Sequence, residues 1–583
     1  MPVPGWGRLS AVNATDDPDG ADATAPDSAP PSDERRSRSK VLSLTYPGIV
    51  GALLFFFLSL TPSLLPRPWM YEALVAGVGS LVGYALGVFV WWVVRKIWKG
   101  PVAPHVSRWG WIGMAIVAPL VILGSLYAGY RWQNEVRRLV GEPESPQGHF
   151  LLIALVAALI FVVILFIARG IRWINRKLAN LLGRVIPRAL AQTVAVIVVA
   201  FGLYWLLTGV AFDEAVKFAD NVYSGENEGT PSGVTKPTSA LRSGSEASLA
   251  PWDTLGYQGR GFVASGPSAS EITSVTGAPA LDPIRVYAGL DSADTAQARA
   301  EIAVKELERT GAFDREVLVV AAATGTGWLE PAAVDSIEYL WGGDTAIATI
   351  QYSFLPSWIS FLVDKERAAD AGSALFDAVY ARWSDLPPKQ RPQLIAYGLS
   401  LGSFAGQAAF ASPVDMASRT DGALWLGSPS FSQPHGQIES DRDAGSPQWR
   451  PVYQGGETVR FGAIASDFVG DPGTDWTFPR VAYLQHANDP VVWWDPELLL
   501  ERPDWLEEAP GPDRSPSMRW IPVVTFLQVT VDQFFGTSVP DLQGHNYGGT
   551  MVDAWQAVVP ADGWTDSQLD SLQDLIDSQP DDY

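Results

Sequence analysis

Long apolar stretches dominate the first third of the chain. Five of them contain no Asp, Glu, Lys or Arg and run for about 20 residues or more, enough for a helix to cross roughly 30 Å of hydrocarbon. A buried helix of a water-soluble protein normally keeps a polar face over such a length. The pattern therefore predicts five transmembrane helices within residues 41–212: Val41–Leu65, Ala73–Val94, Trp109–Tyr130, His149–Ala168 and Ala189–Phe212.

A different rhythm begins near Arg285, where short apolar runs alternate with helical patterns. This alternation is typical of a mostly parallel sheet whose strands are joined by crossover helices. The predicted strands are Arg285–Ala288, Glu316–Ala323, Thr345–Tyr352, Gln393–Tyr397, Gly422–Leu426 and Arg480–His486, and the predicted helices lie near Asp294–Thr310, Pro331–Tyr339, Asp364–Trp383 and Ser403–Ala411. We expect an α/β domain over residues 283–583.

Two segments carry neither pattern. Residues 1–40 are rich in Asp, Pro, Ala and Ser and end in a basic cluster, which predicts a disordered tail. Residues 213–282 contain much Gly, Ser, Thr and Pro without sustained periodicity. We expect a linker in their first half and, near Pro251, a segment that packs on the α/β domain.

Candidate chemistry centres on the stretch from Gln393 to Gln407. An apolar run leads into Gly398-Leu399-Ser400-Leu401-Gly402, and small residues suited to a tightly packed helix follow. The glycines allow a sharp turn that lifts the Ser400 hydroxyl off the end of a strand. Downstream, Asp489 comes just after the predicted strand at 480–486, and His545 lies in a glycine-flanked loop at 541–549.

A strand-turn-helix serine followed by an acid and then a histidine resembles the α/β-hydrolases. The resemblance implies that Ser400 is the nucleophile, His545 the general base and Asp489 the carboxylate that orients it. It also implies an oxyanion hole formed by backbone amides, to which Leu401 and the loop at Gly325, Thr326 and Gly327 would contribute. Residues 428–478 are irregular in sequence and interrupt the sheet where this fold usually carries a lid insertion. The whole arrangement is similar to actinobacterial multi-pass membrane α/β-hydrolases, a group that implies no particular substrate.

Several alternatives stay open. No clear strand precedes His545, although the family usually places its histidine after one, and His435 is the main rival for the base. Asp495 and Asp541 compete with Asp489. Aromatic residues beside the expected site, Trp328, Trp358 and Trp493, would form an apolar substrate-binding rim or simply belong to the core.

Charge and composition narrow the range of functions. Residues 1–212 hold 19 basic and 11 acidic residues, whereas residues 213–583 hold 22 and 52. An acidic domain argues against nucleic acid as a partner, because phosphate binding requires clustered Lys and Arg. The absence of cysteine excludes a cysteine nucleophile. The five histidines lack the spacing of a metal site, so we expect no metal and no cofactor.

Basic residues are distributed unevenly between the two sets of loops that connect the predicted spans. One set, with the basic cluster of the tail, carries 14 Lys and Arg, and the other carries 4. By the positive-inside rule, the N-terminus is predicted to be cytoplasmic, and five crossings then place the α/β domain outside a cell membrane.

The sequence thus predicts a membrane-anchored serine hydrolase that acts on ester bonds of lipid or cell-envelope substrates. An acyltransferase would use the same acyl-enzyme chemistry. A non-catalytic membrane protein that binds a partner or transports a solute is a third possibility, which the lack of charge inside the predicted spans disfavours.

Overall fold

A computed structural model of the chain describes residues 44–97, 106–145, 149–356, 359–360, 363–469 and 474–580. Tyr46–Tyr583 form one compact unit, separate from Met1–Thr45. This unit begins with a helical bundle and continues into an α/β part. The tail predicted at residues 1–40 lies outside the described residues.

Four helices of the bundle are long and apolar enough to cross a membrane. The described helices of this part are α1 (Tyr46–Ser59), α2 (Trp69–Ile97), α3 (Arg108–Leu139), α4 (Phe150–Leu182) and α5 (Arg188–Trp205). Side chains such as Leu120, Leu155 and Phe201 are more than 60% exposed, which suits helices that face lipid. The predicted helical bundle is confirmed, and four of its described helices could cross a membrane.

The first predicted span differs from the helix in the structure. Within Val41–Leu65, the described helix α1 covers only 14 residues, or about 21 Å at 1.5 Å per residue. Prolines at 62, 66 and 68 follow it, and proline lacks the N–H group that a continuing helix needs. The chain therefore leaves the helix at Ser59 and forms a loop before α2.

Glycines let α1 and α2 approach closely. A Cβ atom on Gly83 would lie 2.2 Å from the carbonyl oxygen of Gly51, and one on Gly87 would lie 2.2 Å from that of Pro47. Small residues at the contact are typical of helix pairs in membranes, where close packing replaces the hydrophobic effect. The two helices consequently run antiparallel along most of α1.

The α/β part is built on a seven-stranded sheet. Its strands are β1 (Ile284–Ala288), β2 (Val317–Ala322), β3 (Thr345–Ile350), β4 (Gln393–Leu399), β5 (Gly422–Leu426), β6 (Val459–Gly462) and β7 (Arg480–Leu484), in the order β1-β3-β2-β4-β5-β7-β6. All neighbouring strands are parallel. The six predicted strands are confirmed, each with ends within two residues of the expected ones, and the fold is that of an α/β-hydrolase domain.

Helices cover both faces of the sheet. The described helices after the bundle are α6 (Phe212–Asn227), α7 (Gly256–Ala264), α8 (Ala269–Thr276), α9 (Ala296–Thr310), α10 (Pro331–Leu340), α11 (Lys365–Ser384), α12 (Leu401–Gln407), α13 (Pro413–Arg419), α14 (His435–Ser440), α15 (Pro490–Trp493), α16 (Asp504–Glu507), α17 (Val524–Asp532), α18 (Met551–Val558) and α19 (Asp566–Asp577). Val317 and Val319 pack with α10, α18 and α19, whereas Leu318 and Val320 pack with α9, α11 and α12. Both faces are thus buried, which explains the continuous apolar runs of the strands.

The predicted lid insertion at 428–478 contributes a strand to the sheet. β6 pairs with β7 in parallel, with Val459 beside Val481. The run Val-Arg-Phe-Gly gives no apolar signal because Arg460 sits in its middle, yet this side chain is buried. Its guanidinium donates hydrogen bonds to carbonyl groups, including that of Gly456 at 2.8 Å, and these bonds offset the burial of its charge.

Part of the predicted linker is fixed to the sheet edge. The N–H of Ser243 donates to the carbonyl of Arg285 in β1 at 3.1 Å, and the N–H of Arg285 donates to Leu241 at 3.3 Å. The Ser243 hydroxyl donates to Glu306 of α9 at 3.1 Å. In the sequence, these small polar residues indicated a flexible linker. In the structure, they provide hydrogen-bond partners for the backbone at the exposed edge of the sheet.

Candidate active site

Ser400 occupies a strained turn between β4 and α12. Its φ of 57° and ψ of −126° lie in a backbone region that residues with a side chain rarely adopt. The N–H of Ser400 donates to the carbonyl of Leu426, at the end of the neighbouring strand β5, at 2.8 Å. This geometry holds the half-buried serine at the carboxyl edge of the sheet.

The glycines of the motif permit the close contacts that create the turn. A Cβ atom on Gly398 would lie 2.5 Å from the carbonyl oxygen of Gly402, and one on Gly402 would lie 2.3 Å from that of Ala322 in β2. Atoms do not approach so closely, so any larger residue would push α12 away from the sheet.

Asp489 lies beyond the end of β7 and is fully buried. One carboxylate oxygen, Oδ1, accepts the N–H of Val491 at 2.8 Å and caps the short helix α15. The other, Oδ2, lies 2.7 Å from Nδ1 of His545 and accepts the hydroxyl of Tyr547 at 2.7 Å.

His545 is held in a loop without a preceding strand, as the sequence indicated. Its N–H donates to the carbonyl of Gly536 at 2.8 Å. The second ring nitrogen, Nε2, is buried and has no hydrogen-bond partner among the described residues. A buried nitrogen without a partner is costly in a purely structural histidine, and a general base requires such a free nitrogen.

Gly427 brings the histidine close to the serine. It follows Leu426, whose carbonyl binds the Ser400 amide. A Cβ atom on Gly427 would lie 2.5 Å from Cε1 of His545, so the imidazole packs directly on this backbone. The structure therefore gathers Ser400, Asp489 and His545 at the ends of the adjacent strands β4, β5 and β7.

The predicted oxyanion loop follows β2 and faces the start of α12. Within it, the N–H of Gly327 donates to the carbonyl of Thr324 at 3.0 Å, and the N–H of Thr324 donates to Trp328 at 3.0 Å. The amides of Gly325 and Thr326 make no hydrogen bond within the described part of the chain. Leu401, at the start of α12, presents another amide with no partner inside its helix.

Two contacts fix the shape of this loop. The hydroxyl of Tyr287 donates to the carbonyl of Gly327 at 2.9 Å, and the side-chain amide of Gln351 donates to that of Thr326 at 3.1 Å. Gly327 has a φ of +87°, and a Cβ atom there would lie 2.3 Å from the Tyr287 hydroxyl. The loop is therefore set before a ligand arrives.

Two family models match the chain. One, described as an alpha/beta-hydrolase family, matches residues 284–572, and the other, described as the N-terminus of an alpha/beta-hydrolase family, matches residues 60–267. The chain belongs to the α/β-hydrolase family. No curated protein and no solved structure matches it. The resemblance inferred from the sequence is confirmed at the level of the family.

The rival residues of this α/β-hydrolase have other partners. Nε2 of His435 lies 2.9 Å from the side-chain oxygen of Gln485. Asp495 caps the turn that starts at Pro496 by accepting the N–H of Glu497 at 2.7 Å. Asp541 accepts the side-chain amide of Asn546 at 3.1 Å. The geometry therefore favours Asp489 and His545 over their rivals.

The aromatic residues expected at the rim occupy different places. Trp493 is only 3% exposed, and its indole N–H donates to the carbonyl of His486 at 2.9 Å, so it belongs to the core. Trp328 is half-buried and packs against the core beneath the oxyanion loop. Trp358 lies outside the described residues.

Tyr547 escaped the sequence interpretation, and it packs against His486, the residue that closes the predicted strand before Asp489. Their rings stack with centroids 4.4 Å apart, and Nδ1 of His486 lies 2.8 Å from the carbonyl of Gly544. Burial lowers the pKa of His486 and raises the pKa of the Tyr547 phenol well above its usual range, to which the adjacent Asp489 contributes. Tyr547 therefore remains a hydrogen-bond donor to Asp489. The position of Tyr547, two residues after His545, was the signal in the sequence that could have identified it.

Proposed function

We propose that this α/β-hydrolase is a membrane-bound serine hydrolase that cleaves ester bonds of lipid or cell-envelope substrates. The observation that carries the proposal is the 2.7 Å contact between His545 Nδ1 and Asp489 Oδ2, beside a serine on a strained turn. Ser400 is the nucleophile, His545 the general base, and Asp489 the residue that orients the imidazole.

In the first half-reaction, the Ser400 hydroxyl attacks the carbonyl carbon of the ester while His545 Nε2 takes its proton. A serine hydroxyl is a poor nucleophile near neutral pH, so this transfer is needed. Asp489 holds the proton-bearing Nδ1 and stabilises the imidazolium. The intermediate then collapses, the C–O bond breaks, and His545 gives the proton to the departing alcohol.

The negative charge that forms on the carbonyl oxygen requires donors. We infer that the amides of Leu401, Gly325 and Thr326 supply them, and each such donor typically contributes about 2.7–4 kcal/mol to transition-state stability. The amide of Gly327 is used within the loop, so its role is to shape the turn.

In the second half-reaction, His545 deprotonates a water molecule that attacks the acyl-serine and releases the free acid. A hydroxyl-bearing acceptor in place of water would give a new ester, which is the acyltransferase alternative. Both routes pass through the same acyl-Ser400, and only the product distinguishes them.

The four long apolar helices support a membrane location. We propose that they anchor the enzyme in the cell membrane with its catalytic domain outside. A catalytic domain held at a bilayer meets amphiphilic substrates at high effective concentration, whereas water-soluble substrates gain nothing from the anchor.

The test is turnover of a series of p-nitrophenyl esters by the purified full-length protein in detergent. We expect acyl chains of eight or more carbons to be preferred over acetyl, and Ser400→Ala to abolish turnover. Ser403→Ala is the matched control, because Ser403 lies one turn further along α12 and hydrogen-bonds to Ser428. Full activity of Ser400→Ala, or faster turnover of acetyl than of long-chain esters, would contradict the proposal.

A further inference from the structure

The loop at residues 60–68, which joins α1 to α2, is buried against the α/β part. Ser63, Leu64, Leu65 and Arg67 are nearly inaccessible to solvent. Leu64 and Leu65 share a core cluster with Trp493, Val529 and Phe535, all from the α/β part. A segment predicted to end a membrane span is thus built into the core of the catalytic domain.

Asp532, the last residue of α17, anchors this loop. Its buried carboxylate accepts hydrogen bonds from the Ser63 hydroxyl and, at 3.2 Å, from the N–H of Leu64. Arg67 Nε lies 3.7 Å from the other carboxylate oxygen. One turn earlier, Gln528 donates its side-chain amide to the carbonyl of Thr61 at 2.9 Å.

The burial of the Asp532 carboxylate makes its hydrogen bonds to the loop energetically important. Burial raises the pKa of Asp532 to about 6, even though Arg67 acts in the opposite direction. A buried carboxylate that loses its donors carries a large penalty. The loop supplies donors that Asp532 requires, so the two segments hold each other in place.

Asp532 is connected to the proposed catalytic base by a few residues and one hydrogen bond. A single turn, Gln533–Phe535, separates Asp532 from Gly536, whose carbonyl accepts the N–H of His545 at 2.8 Å. On the other side, Leu65 touches the residue before the base. A Cβ atom on Gly544 would lie 3.1 Å from Cδ2 of Leu65.

We propose that residues 61–68 of this loop position His545 for catalysis, with Asp532 as their anchor and Leu65 as their contact with Gly544, the residue before His545. The membrane bundle is then a component of the active site and not only an anchor. The inference rests on the proposed function, because it assigns the loop a role in placing the general base. Displacing a catalytic group by about 1 Å can lower a rate by about 10²-fold.

Two buried leucines, Leu60 just before this segment and Leu65 within it, provide a matched pair of variants. Leu60 and Leu65 are both fully buried. Leu60 packs with Phe56, Ala73 and Leu126 inside the bundle, whereas Leu65 packs with the catalytic domain. Each change to alanine removes the same atoms, so both variants should lose similar stability, and only Leu65→Ala should disturb His545.

The experiment compares kcat, KM and the pH dependence of kcat/KM for the full-length protein in detergent, normalised to the folded fraction from tryptophan fluorescence. We expect Leu65→Ala to lower kcat by at least about tenfold and to displace the pH profile, with KM within about twofold of the wild type. Leu60→Ala should keep kcat within about twofold. Ser63→Ala, a smaller change at the Asp532 anchor of the same segment, should lower kcat in the same direction and serves if Leu65→Ala does not fold.

Equal kcat values for Leu60→Ala and Leu65→Ala, or a kcat for Ser63→Ala equal to the wild-type value, would overturn the inference. Such a result would leave the proposed function standing as long as Ser400→Ala is inactive. Turnover by Ser400→Ala would instead remove the proposed function itself, so the two failures are distinguishable.

Discussion

Asp489 uses its two carboxylate oxygens for different tasks. Oδ1 caps α15 through the N–H of Val491, and Oδ2 binds both His545 and Tyr547. A hydrogen bond to a charged group contributes about 1.5–3 kcal/mol, and together these contacts fix the carboxylate in one position. The imidazole is consequently held in one orientation and one tautomer.

The substitution Asp489→Asn tests the two tasks of this carboxylate separately. Asp489→Asn should lower kcat by about 10⁴-fold, because an amide cannot stabilise the imidazolium or hold the required tautomer. The thermal midpoint should change little, since Asn caps helices as well as Asp does. Steady-state kinetics and thermal unfolding of the purified variant measure the two effects.

Asp495→Asn is the matched control for this substitution. Asp495 also caps a short turn but accepts only from Glu497 among its described hydrogen bonds, so kcat should be retained. If Asp495→Asn lost activity while Asp489→Asn kept it, the orienting carboxylate would have to be reassigned.

Single residues also show what the sequence can and cannot predict. Ser400, Asp489 and His545 each occupy a place that local pattern indicates: a glycine-flanked turn, a strand end and a glycine-flanked loop. The position of Tyr547 two residues after His545 suggests that it lies near the site, but its hydrogen bond to Asp489 depends on the three-dimensional fold. Trp493 is apolar whether it lines a pocket or a core, so its place in the core required the three-dimensional contacts.

At the scale of elements, the turn between β4 and α12 depends on how closely α12 approaches β2. The Gly402 backbone lies against the carbonyl of Ala322, the last residue of β2. The oxyanion loop follows β2 directly. The same contact therefore sets the distance between Ser400 and the amides that we propose as oxyanion donors.

Gly402→Ala tests this contact. The added methyl group would meet the Ala322 carbonyl oxygen at 2.3 Å, so α12 must shift away from the sheet. We expect a loss of about 1–3 kcal/mol in stability, the usual cost of overpacking, together with a fall in kcat of at least about tenfold. Thermal unfolding and ester kinetics provide the measurements.

Gly436→Ala in α14 is the comparison variant. A Cβ atom there would meet the flexible end of the Gln433 side chain at 3.0 Å and the Ser430 carbonyl oxygen at an ordinary contact distance of 3.4 Å, so kcat and stability should remain near the wild-type values. Equal behaviour of the two variants would show that the close contact at Gly402 does not position the nucleophile.

The predicted strands were correct, and each wrong prediction of an element has a physical reason. Uninterrupted apolar runs gave six strands correctly, because strands buried on both faces carry no polar alternation. β6 was missed because Arg460 interrupts a run of only four residues. The first apolar span was predicted too long, because Leu64 and Leu65 are apolar for contact with the α/β part and not with lipid.

At the scale of the whole molecule, the bundle contacts the His545 loop directly and the Asp489 loop through residues 513–515. Residues 60–68 contact the His545 loop, as described above. Glu135 of α3 accepts the hydroxyl of Ser515 at 2.6 Å, and nearby Asp513 accepts the N–H of Asn488, the residue before Asp489, at 3.1 Å. Contacts at two points indicate that the bundle and the catalytic domain act as one body.

Orientation in the membrane depends on α1. Four crossings would leave both ends of the bundle on one side, and five would place them on opposite sides. The 14-to-4 distribution of basic residues favours a cytoplasmic N-terminus and an external catalytic domain. We propose this orientation for the full chain.

The absence of cysteine makes the orientation directly testable with single-cysteine variants. Glu246→Cys lies in the exposed segment before β1, and Val185→Cys lies in the exposed turn between α4 and α5. A membrane-impermeant maleimide should label Glu246→Cys on intact cells and Val185→Cys only after permeabilisation. The reverse pattern would place the catalytic domain in the cytoplasm.

The central claim is that Ser400 is a nucleophile activated by His545. Its most direct test is labelling of the full-length protein with a fluorophosphonate, followed by peptide mass spectrometry to locate the modified residue. We expect a single adduct on Ser400, its loss in Ser400→Ala, and labelling slowed by orders of magnitude in His545→Ala but not in His435→Ala. An adduct on another residue, or undiminished labelling of Ser400→Ala, would contradict the account.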